Sequence, residues 1–533
     1  MPASSSRRAS TTSNMQSLGY QMQHRMLQIA HYGQPTIEIA LDESRHGTQG
    51  SYVTSYSTMD TIEGTVAITA PHDTRFEDIQ IAFTGTSQVY VDRLTTTPSM
   101  SGRTEAQHRF LTLKQPVDDA DLPLPRILMA GKKYTFPFYF TVPSQLLPRA
   151  CSHTVASDYV RETHLMLPPS LGDAELSGFG GVLLDDMAPD MSKVIYAIKV
   201  RITQFHEGEG KMSIVAEKMR KVRVKPAFEE QPPLNVDGNP EYRLRQEKAI
   251  RKGLFKGKMG TLTATTVQPK ALIIPGARTI CNQAVATRAR VHLRWDPVDD
   301  HTLPPKLGSL KTSIKVSTYY ASAPRANFPT RDSLGYDLTQ GVYGENVSIS
   351  TMCVESAQWH KQPASANPIV SDGIDRRDSG ISDCSTSTTD THNSDIPPAS
   401  KNYKHGSFYT ASILVPITLP HNKNFIPTFH SCLVSRTYAL SLTISAQAPG
   451  VSDPSLHLKV PLQICAEGSA TGNENARARS AEVGVLDEVG MMFRPRSVAP
   501  PTGTSGSGAD APPEYVAFPP TVGRYGARVT AVG

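Results

Sequence analysis

Apolar residues return at every second position in short runs along most of this chain, and that period suits half-buried β-strands. Ile37, Ile39 and Leu41 alternate with Thr36, Glu38 and Ala40. Ile62, Gly64, Val66 and Ile68 follow, then Ile79, Ile81 and Phe83, Val89 and Val91, Phe136, Phe138 and Phe140, and the run from Val194 through Tyr196, Ile198 and Val200 to Ile202. A second series comprises Ala289, Val291, Leu293 and Trp295; Ile314, Val316 and Thr318; Val347, Ile349 and Thr351; Tyr438 to Ile444; and Leu456 to Ile464. Turn-rich stretches such as Thr95–Thr104 separate the runs, and helical periodicity is nearly absent. Many short strands punctuated by Gly, Pro and Asp predict antiparallel sandwiches, not a parallel sheet wound with helices. Pro137, inside the phenylalanine strand, predicts an edge or a bulge because proline has no N–H to give a ladder. Arg288, Arg290, His292 and Arg294 share the other face of their strand, and that face reads as exposed.

The alternation breaks where Arg243, Arg245, Lys248, Arg251, Lys252, Lys256 and Lys258 surround a single acid, Glu247. The formal charge of the whole 533-residue chain is only +5, so its basic character is local to this stretch. The organisation expected is a disordered N-terminus over 1–34, a first sandwich over 35–226 and a basic interdomain segment over 227–258. A second sandwich follows over 259–466, interrupted by a polar, disordered insert over 362–404, and a disordered tail over 467–533 is rich in Ala, Gly, Ser, Pro and Arg.

No apolar run is long enough to span a bilayer. The N-terminus lacks the apolar core of a secretory signal, so a cytoplasmic location is expected. Cys151, Cys281, Cys353, Cys384, Cys432 and Cys465 are scattered with no C-x-x-C pair. That pattern suggests neither a zinc ribbon nor a disulfide framework; the expectation is buried small hydrophobes, no metal site and no cofactor. Catalytic signatures are weak. Gly253–Lys258 falls one residue short of a phosphate-binding loop and lacks its Ser/Thr. Cys151-Ser152-His153 offers a thiol and a base, yet adjacency in sequence does not make a triad, and a structural role is the expectation. A hydrolase remains only a remote alternative.

The tail carries Pro512-Pro513-Glu514-Tyr515. Two prolines preset polyproline II, so Pro512 and Tyr515 project from one face of a solvated backbone, the shape that an aromatic-lined WW groove reads. With 41 Pro and 19 Tyr in 533 residues, composition alone yields about 0.1 chance copies. Phe518-Pro519-Pro520-Thr521-Val522 lacks the tyrosine, so the motif stands as a single copy without avidity from a second.

Gly131-Lys-Lys-Tyr-Thr-Phe-Pro-Phe-Tyr-Phe-Thr-Val-Pro-Ser-Gln-Leu-Leu-Pro148 resembles the Y-x-F-P-F-x-F-x-V-P signature of arrestin-like N-terminal domains. Ile62–Val66, the strand from Ile79 to Gly85, Leu165–Gly172 with its Leu-Pro-Pro-Ser-Leu-Gly, Met187–Asp190 before Ile195–Val200, and Glu247–Gly260 follow in the order of fungal α-arrestins. The resemblance covers roughly residues 35–360. It implies two tandem immunoglobulin-like antiparallel β-sandwiches, an all-β arrestin fold, in a non-enzymatic adaptor. In that family a tail PPxY recruits a HECT-type ubiquitin ligase through its WW domains while the body engages an integral membrane cargo, a transporter or receptor, for ubiquitylation and endocytosis. The residues carried over are Pro512, Pro513 and Tyr515. Recruitment to the plasma membrane or endosomes follows, and a ligase-independent trafficking or ambient-pH signalling scaffold is the alternative.

Two further sites are expected. The basic residues Arg243 to Lys258 are candidates for an anionic membrane surface, each worth about 1 kcal/mol near the headgroups; aromatics do not interleave with them in a recognisable RNA-binding pattern, so nucleic acid is not expected. Ser10 after Arg7-Arg8, Ser379 after Arg376-Arg377-Asp378 and Ser497 after Arg494-Pro495-Arg496 are candidates for basophilic phosphorylation.

Overall fold

The structure, a computed structural model, describes residues 33–42, 55–93 and 102–480, apart from 174–175, 177–183, 207, 209, 235, 237–238, 252–256, 278–283, 336, 368–395, 402, 405 and 448–453. Ten strands make the first half: β1 (Thr36–Leu41), β2 (Ser55–Tyr56), β3 (Thr61–Thr69), β4 (Thr74–Arg75), β5 (Asp78–Arg93), β6 (Gly102–Gln115), β7 (Ile127–Leu128), β8 (Lys133–Thr141), β9 (Ser192–His206) and β10 (Lys211–Val224). A three-stranded sheet in the order β1-β3-β8 faces a five-stranded sheet in the order β2-β10-β9-β5-β6. The longer pairings are antiparallel, and β2 alone lies parallel to β10. The two sheets meet through aromatic rings: Phe83 of β5 lies 6.0 Å from Phe140 of β8, and within the larger sheet it stacks at 5.8 Å on Tyr196 of β9. Such pairs add about 0.5–1.5 kcal/mol beyond the area they bury.

The alternating positions land where the period puts them. Ile37, Ile62, Val66, Ile68, Ile79, Ile81, Phe83 and Val194 are all buried, as are Phe136, Phe138 and Phe140. Pro137 sits on β8, an edge strand of the smaller sheet, which tolerates its missing N–H. The runs ending at Phe83 and beginning at Val89 are one strand, β5, whose pairing with β6 slips at Gly85. At that slip Phe110 folds over Gly85, where a Cβ would stand 2.4 Å from its ring, so only glycine admits the aromatic.

The second half follows with β11 (Arg245–Arg251), β12 (Lys258–Thr266), β13 (Leu272–Ile274), β14 (Ala286–Pro297), β15 (Leu307–Ala321), β16 (Gln340–Cys353), β17 (His360–Gln362), β18 (Phe408–Thr418), β19 (Phe429–His430), β20 (Val434–Ala446), β21 (Ser455–Leu462) and β22 (Ile464–Ala466). One sheet runs β11-β12-β14-β18-β17; the other runs β16-β15-β20-β19, with β21 also on β20. Leu262, Val291, Leu293 and Trp295 from the first pack with Leu310, Ile314, Leu440 and Leu442 from the second. The chain is thus all-β over two sandwich-like halves, and α1 (Asp158–Leu165) is a short departure capped by Ser157, whose side chain accepts from the Val160 N–H.

Several expectations are corrected. Arg245–Arg251, assigned to an interdomain segment, are the outermost strand of the second half, with Ile250 turned into its core. β6, β10, β12 and β18 were not read as strands, and β6 begins at Gly102 inside the stretch read as a loop. Arg294 is fully buried beside Asp296 at 2.7 Å and lies 3.9 Å over the ring of Phe408. Its guanidinium also donates to Asn367 Oδ1 and to the Pro397 carbonyl, and Asp296 accepts from the Ser400 N–H. The two ends of the polar insert are therefore clamped to a buried ion pair; residues 368–395 between them, and with them the disorder expected there, lie outside the described residues.

The chain divides into a compact unit, Met1–Ala478, and a second unit, Arg479–Gly533. The tail does not lose order at 467. Residues 470–478 are helical, Ser469 caps that helix by accepting from the Gly472 N–H, and the Ser469 and Thr471 hydroxyls both donate to the buried carboxylate of Asp60. Among the described residues no helix is long and apolar enough to cross a membrane.

Candidate functional site

Pro512, Pro513 and Tyr515 lie outside the described residues, as do Ser10, Ser379, Ser497, Lys252 and Lys256. The other basic candidates are in view and divide into two groups. Arg245 is held by Glu247 at 2.5 Å and by the Pro398 and Ala399 carbonyls, while Lys248 donates to the Ser455 carbonyl at 3.2 Å. Arg243 pairs through its backbone with Lys459. Arg251 and Lys258 face each other across the β11–β12 pairing, Arg251 exposed, with Lys252 and Lys256 in the connection between them. Among the described basic candidates, Arg245 and Lys248 are thus held by the chain's own acceptors.

The densest polar chemistry lies where the two halves meet. The residues from Pro148 to Cys151 make one 3₁₀ turn, His153 follows two residues on, and α1 presents His164 in its last turn. From the second half comes Cys432, in the turn that leads into β20, a turn closed by Ser431 bonding to Val434. Cys151 Sγ lies 3.8 Å from His153 Nδ1 and 3.7 Å from His164 Nδ1. One donor atom from each of Cys151, His153, His164 and Cys432 falls within 4.8 Å of all the others. Cys151, His164 and Cys432 are buried and His153 is half-buried.

α1 and the loop after β15 hold this cluster in place. His153 Nε2 lies 2.9 Å from the Arg325 carbonyl, an acceptor only, so Nε2 carries the proton and Nδ1 presents a lone pair. The Arg325 N–H in turn donates to the Cys432 carbonyl at 3.0 Å, and Arg161 of α1 donates to the Cys151 carbonyl. Burial, with the Arg325 and Arg161 guanidiniums near it, lowers His164 to about 4, so the ring is neutral. Burial, with Cys151 beside it, pushes the Cys432 thiol well up.

Elsewhere along the seam, cations of one half meet acceptors of the other. Arg436, fully buried, donates to the carbonyls of Asp186 and Met187 at 2.9 and 3.2 Å. Arg223 donates to Asn424 Oδ1, and Lys423 bridges Asp185 of the first half and Glu345 of the second. Beside α1 a cavity of about 240 Å³ is lined by residues of both halves, Tyr159, Thr163, Phe228, Tyr319, Phe328 and Tyr438 among them. Glu241 on its wall accepts from the Tyr319 hydroxyl at 3.1 Å and pairs with Arg331 at 3.2 Å.

Sequence reasoning saw Cys151 and His153 only as an unconvincing thiol and base, read Cys432 as one of several buried small hydrophobes, and did not single out His164. The signal was in reach for three of the four: Cys151, His153 and His164 fall within one short stretch, with the C-x-H spacing followed by a second histidine. Cys432 enters only because the halves fold together. A scan of the chain against protein-family models and a search of curated proteins both find no match.

Proposed function

We propose that this protein is an arrestin-like adaptor that holds a HECT-type ubiquitin ligase beside an integral membrane cargo. The observation that carries the reading is the sequence Pro512-Pro513-Glu514-Tyr515, which falls within the unit Arg479–Gly533 and has the form that WW domains read. A recognition motif works when its backbone is free to enter a groove, and a polyproline segment enters at low ordering cost. The body supports the same reading through the residues that resemble α-arrestins, which are packing and turn determinants here. Phe136, Phe138 and Phe140 fill the first core, and Gly172, at a φ of +73°, lies where a Cβ would meet the Ser192 carbonyl at 2.4 Å. Such a body contributes proximity, raising the ligase's effective concentration at the cargo, and breaks no covalent bond itself. In this reading it works at the cytoplasmic face of the plasma membrane or of endosomes, and the basic residues from Arg251 to Lys258 add attraction to anionic lipid.

Titration of ligase WW domains against the full chain tests the reading. A single short motif binds at micromolar levels, about −6 to −8 kcal/mol, and Tyr515→Ala abolishes it. Equal binding by the variant, or none by the wild type, rejects ligase recruitment through this motif and leaves the ligase-independent scaffold.

A further inference from the structure

We propose that Cys151, His153, His164 and Cys432 bind one zinc ion that staples the first sandwich-like half to the second. The donor set comes first: two thiols and two imidazoles are the tetrahedral N₂S₂ combination that selects zinc among the common divalent cations. The spacing agrees. A tetrahedral zinc with its usual bonds to sulfur and nitrogen puts neighbouring S and N atoms about 3.6 Å apart. Cys151 Sγ already stands 3.8 Å from His153 Nδ1 and 3.7 Å from His164 Nδ1, and the four donors lie within 4.8 Å of one another.

The second layer of contacts fits as well. A zinc-bound histidine characteristically donates its remote ring N–H to a carbonyl or carboxylate, which orients the ring and fixes the tautomer. His153 does this through Nε2 to the Arg325 carbonyl. Charge also balances: on binding, each thiol gives up one proton to solvent, and two thiolates neutralise the dication, so no net charge is buried beside Arg325. Four protein donors close the coordination sphere, which marks a structural and not a catalytic centre. Three donors come from the first half and the fourth, Cys432, from the turn before β20, so the ion crosslinks two segments that meet only in the folded chain.

The test uses the full-length chain, purified under reducing conditions without chelators or metal-affinity resin. Elemental analysis is expected to find close to one zinc per chain, and Cys432→Ser and His164→Gln are expected to reduce it to background. Cys353→Ser, which changes an exposed thiol elsewhere, is expected to retain it. Should the ligand variants fail to fold, the wild-type chain decides alone. After chelator treatment it is expected to take up cobalt with thiolate charge-transfer and tetrahedral d–d bands, and to regain its thermal midpoint with zinc but not with magnesium. Absence of zinc from the purified chain together with no cobalt spectrum overturns the proposal, and so does a Cys151–Cys432 disulfide found in chain prepared in parallel without reductant.

Discussion

Lys225 carries an ammonium into the seam between the halves, where Nζ donates to the Pro275 carbonyl at 2.5 Å. Burial, with the Arg223 guanidinium next to it, lowers this lysine to about 7, and Glu467 offsets only part of that. An unfolded lysine holds its proton up to about 10.4, so between those values the unfolded chain binds more protons than the folded one and stability rises with pH. Below the folded value the full penalty of the buried charge is present. Urea midpoints at about pH 7 and about pH 9 are therefore expected to rise for the wild type by more than for Lys225→Met, since only the wild type sheds this charge on the way up. An identical rise in both proteins rejects the assignment. Arg294 illustrates the opposite solution to a buried cation. It pairs with Asp296, lies over Phe408 and donates to Asn367 and the Pro397 carbonyl at the ends of the polar insert.

At the scale of elements, β11 and β12 form a hairpin with two kinds of basic residue. Arg245 and Lys248 on the strand are satisfied by Glu247 and by backbone carbonyls; Arg251 and Lys258 flank the connection that holds Lys252 and Lys256. Charge reversal at Lys252, Lys256 and Lys258 is expected to abolish sedimentation with phosphatidylserine vesicles, each basic residue near the surface being worth about 1 kcal/mol. Arg245→Ala is expected to leave sedimentation unchanged. Undiminished binding by the triple variant removes lipid attraction from the account. The strand itself was hard to read because only Ile250 of β11 is buried, and an edge strand with one core residue has no period to detect. β10 was missed for a related reason: most of its residues outside the last few are exposed or half-buried. α1 was missed because eight residues span barely two turns, too few to reveal a helical period, although its Ser157 cap is a readable start signal.

At the scale of the whole molecule, the C-terminal segment returns from β22 in the second half to Asp60 in the first. Ser469 and Thr471 donate to one carboxylate oxygen, the Ser57 N–H to the other, and Asn475 donates to the Met59 carbonyl. Ending the chain after Ala466 removes the partners of one buried oxygen, so folding stability is expected to fall by about 1–3 kcal/mol. Ending it after Ser480 is expected to have no such effect, and denaturant unfolding of the two truncations against the full chain distinguishes them. Equal stability of all three would show that the clasp contributes nothing to the fold.

The sequence by itself determined the class of the molecule and most of the long strands, because alternation is a local property: each strand buries every second residue whatever its partner. Ile62, Val66 and Ile68 had to face a core, and Phe136, Phe138 and Phe140 had to share one. It also located the two series of strands. Tertiary structure alone decided what the polar residues do. Arg294 is buried and not exposed because the insert's ends and Asp296 enclose it, Asp60 is satisfied by hydroxyls more than four hundred positions away, and Cys432 joins Cys151, His153 and His164 across the seam. A charge or a thiol takes its properties from neighbours, and neighbours from distant segments exist only once the sheets have paired and the halves have packed.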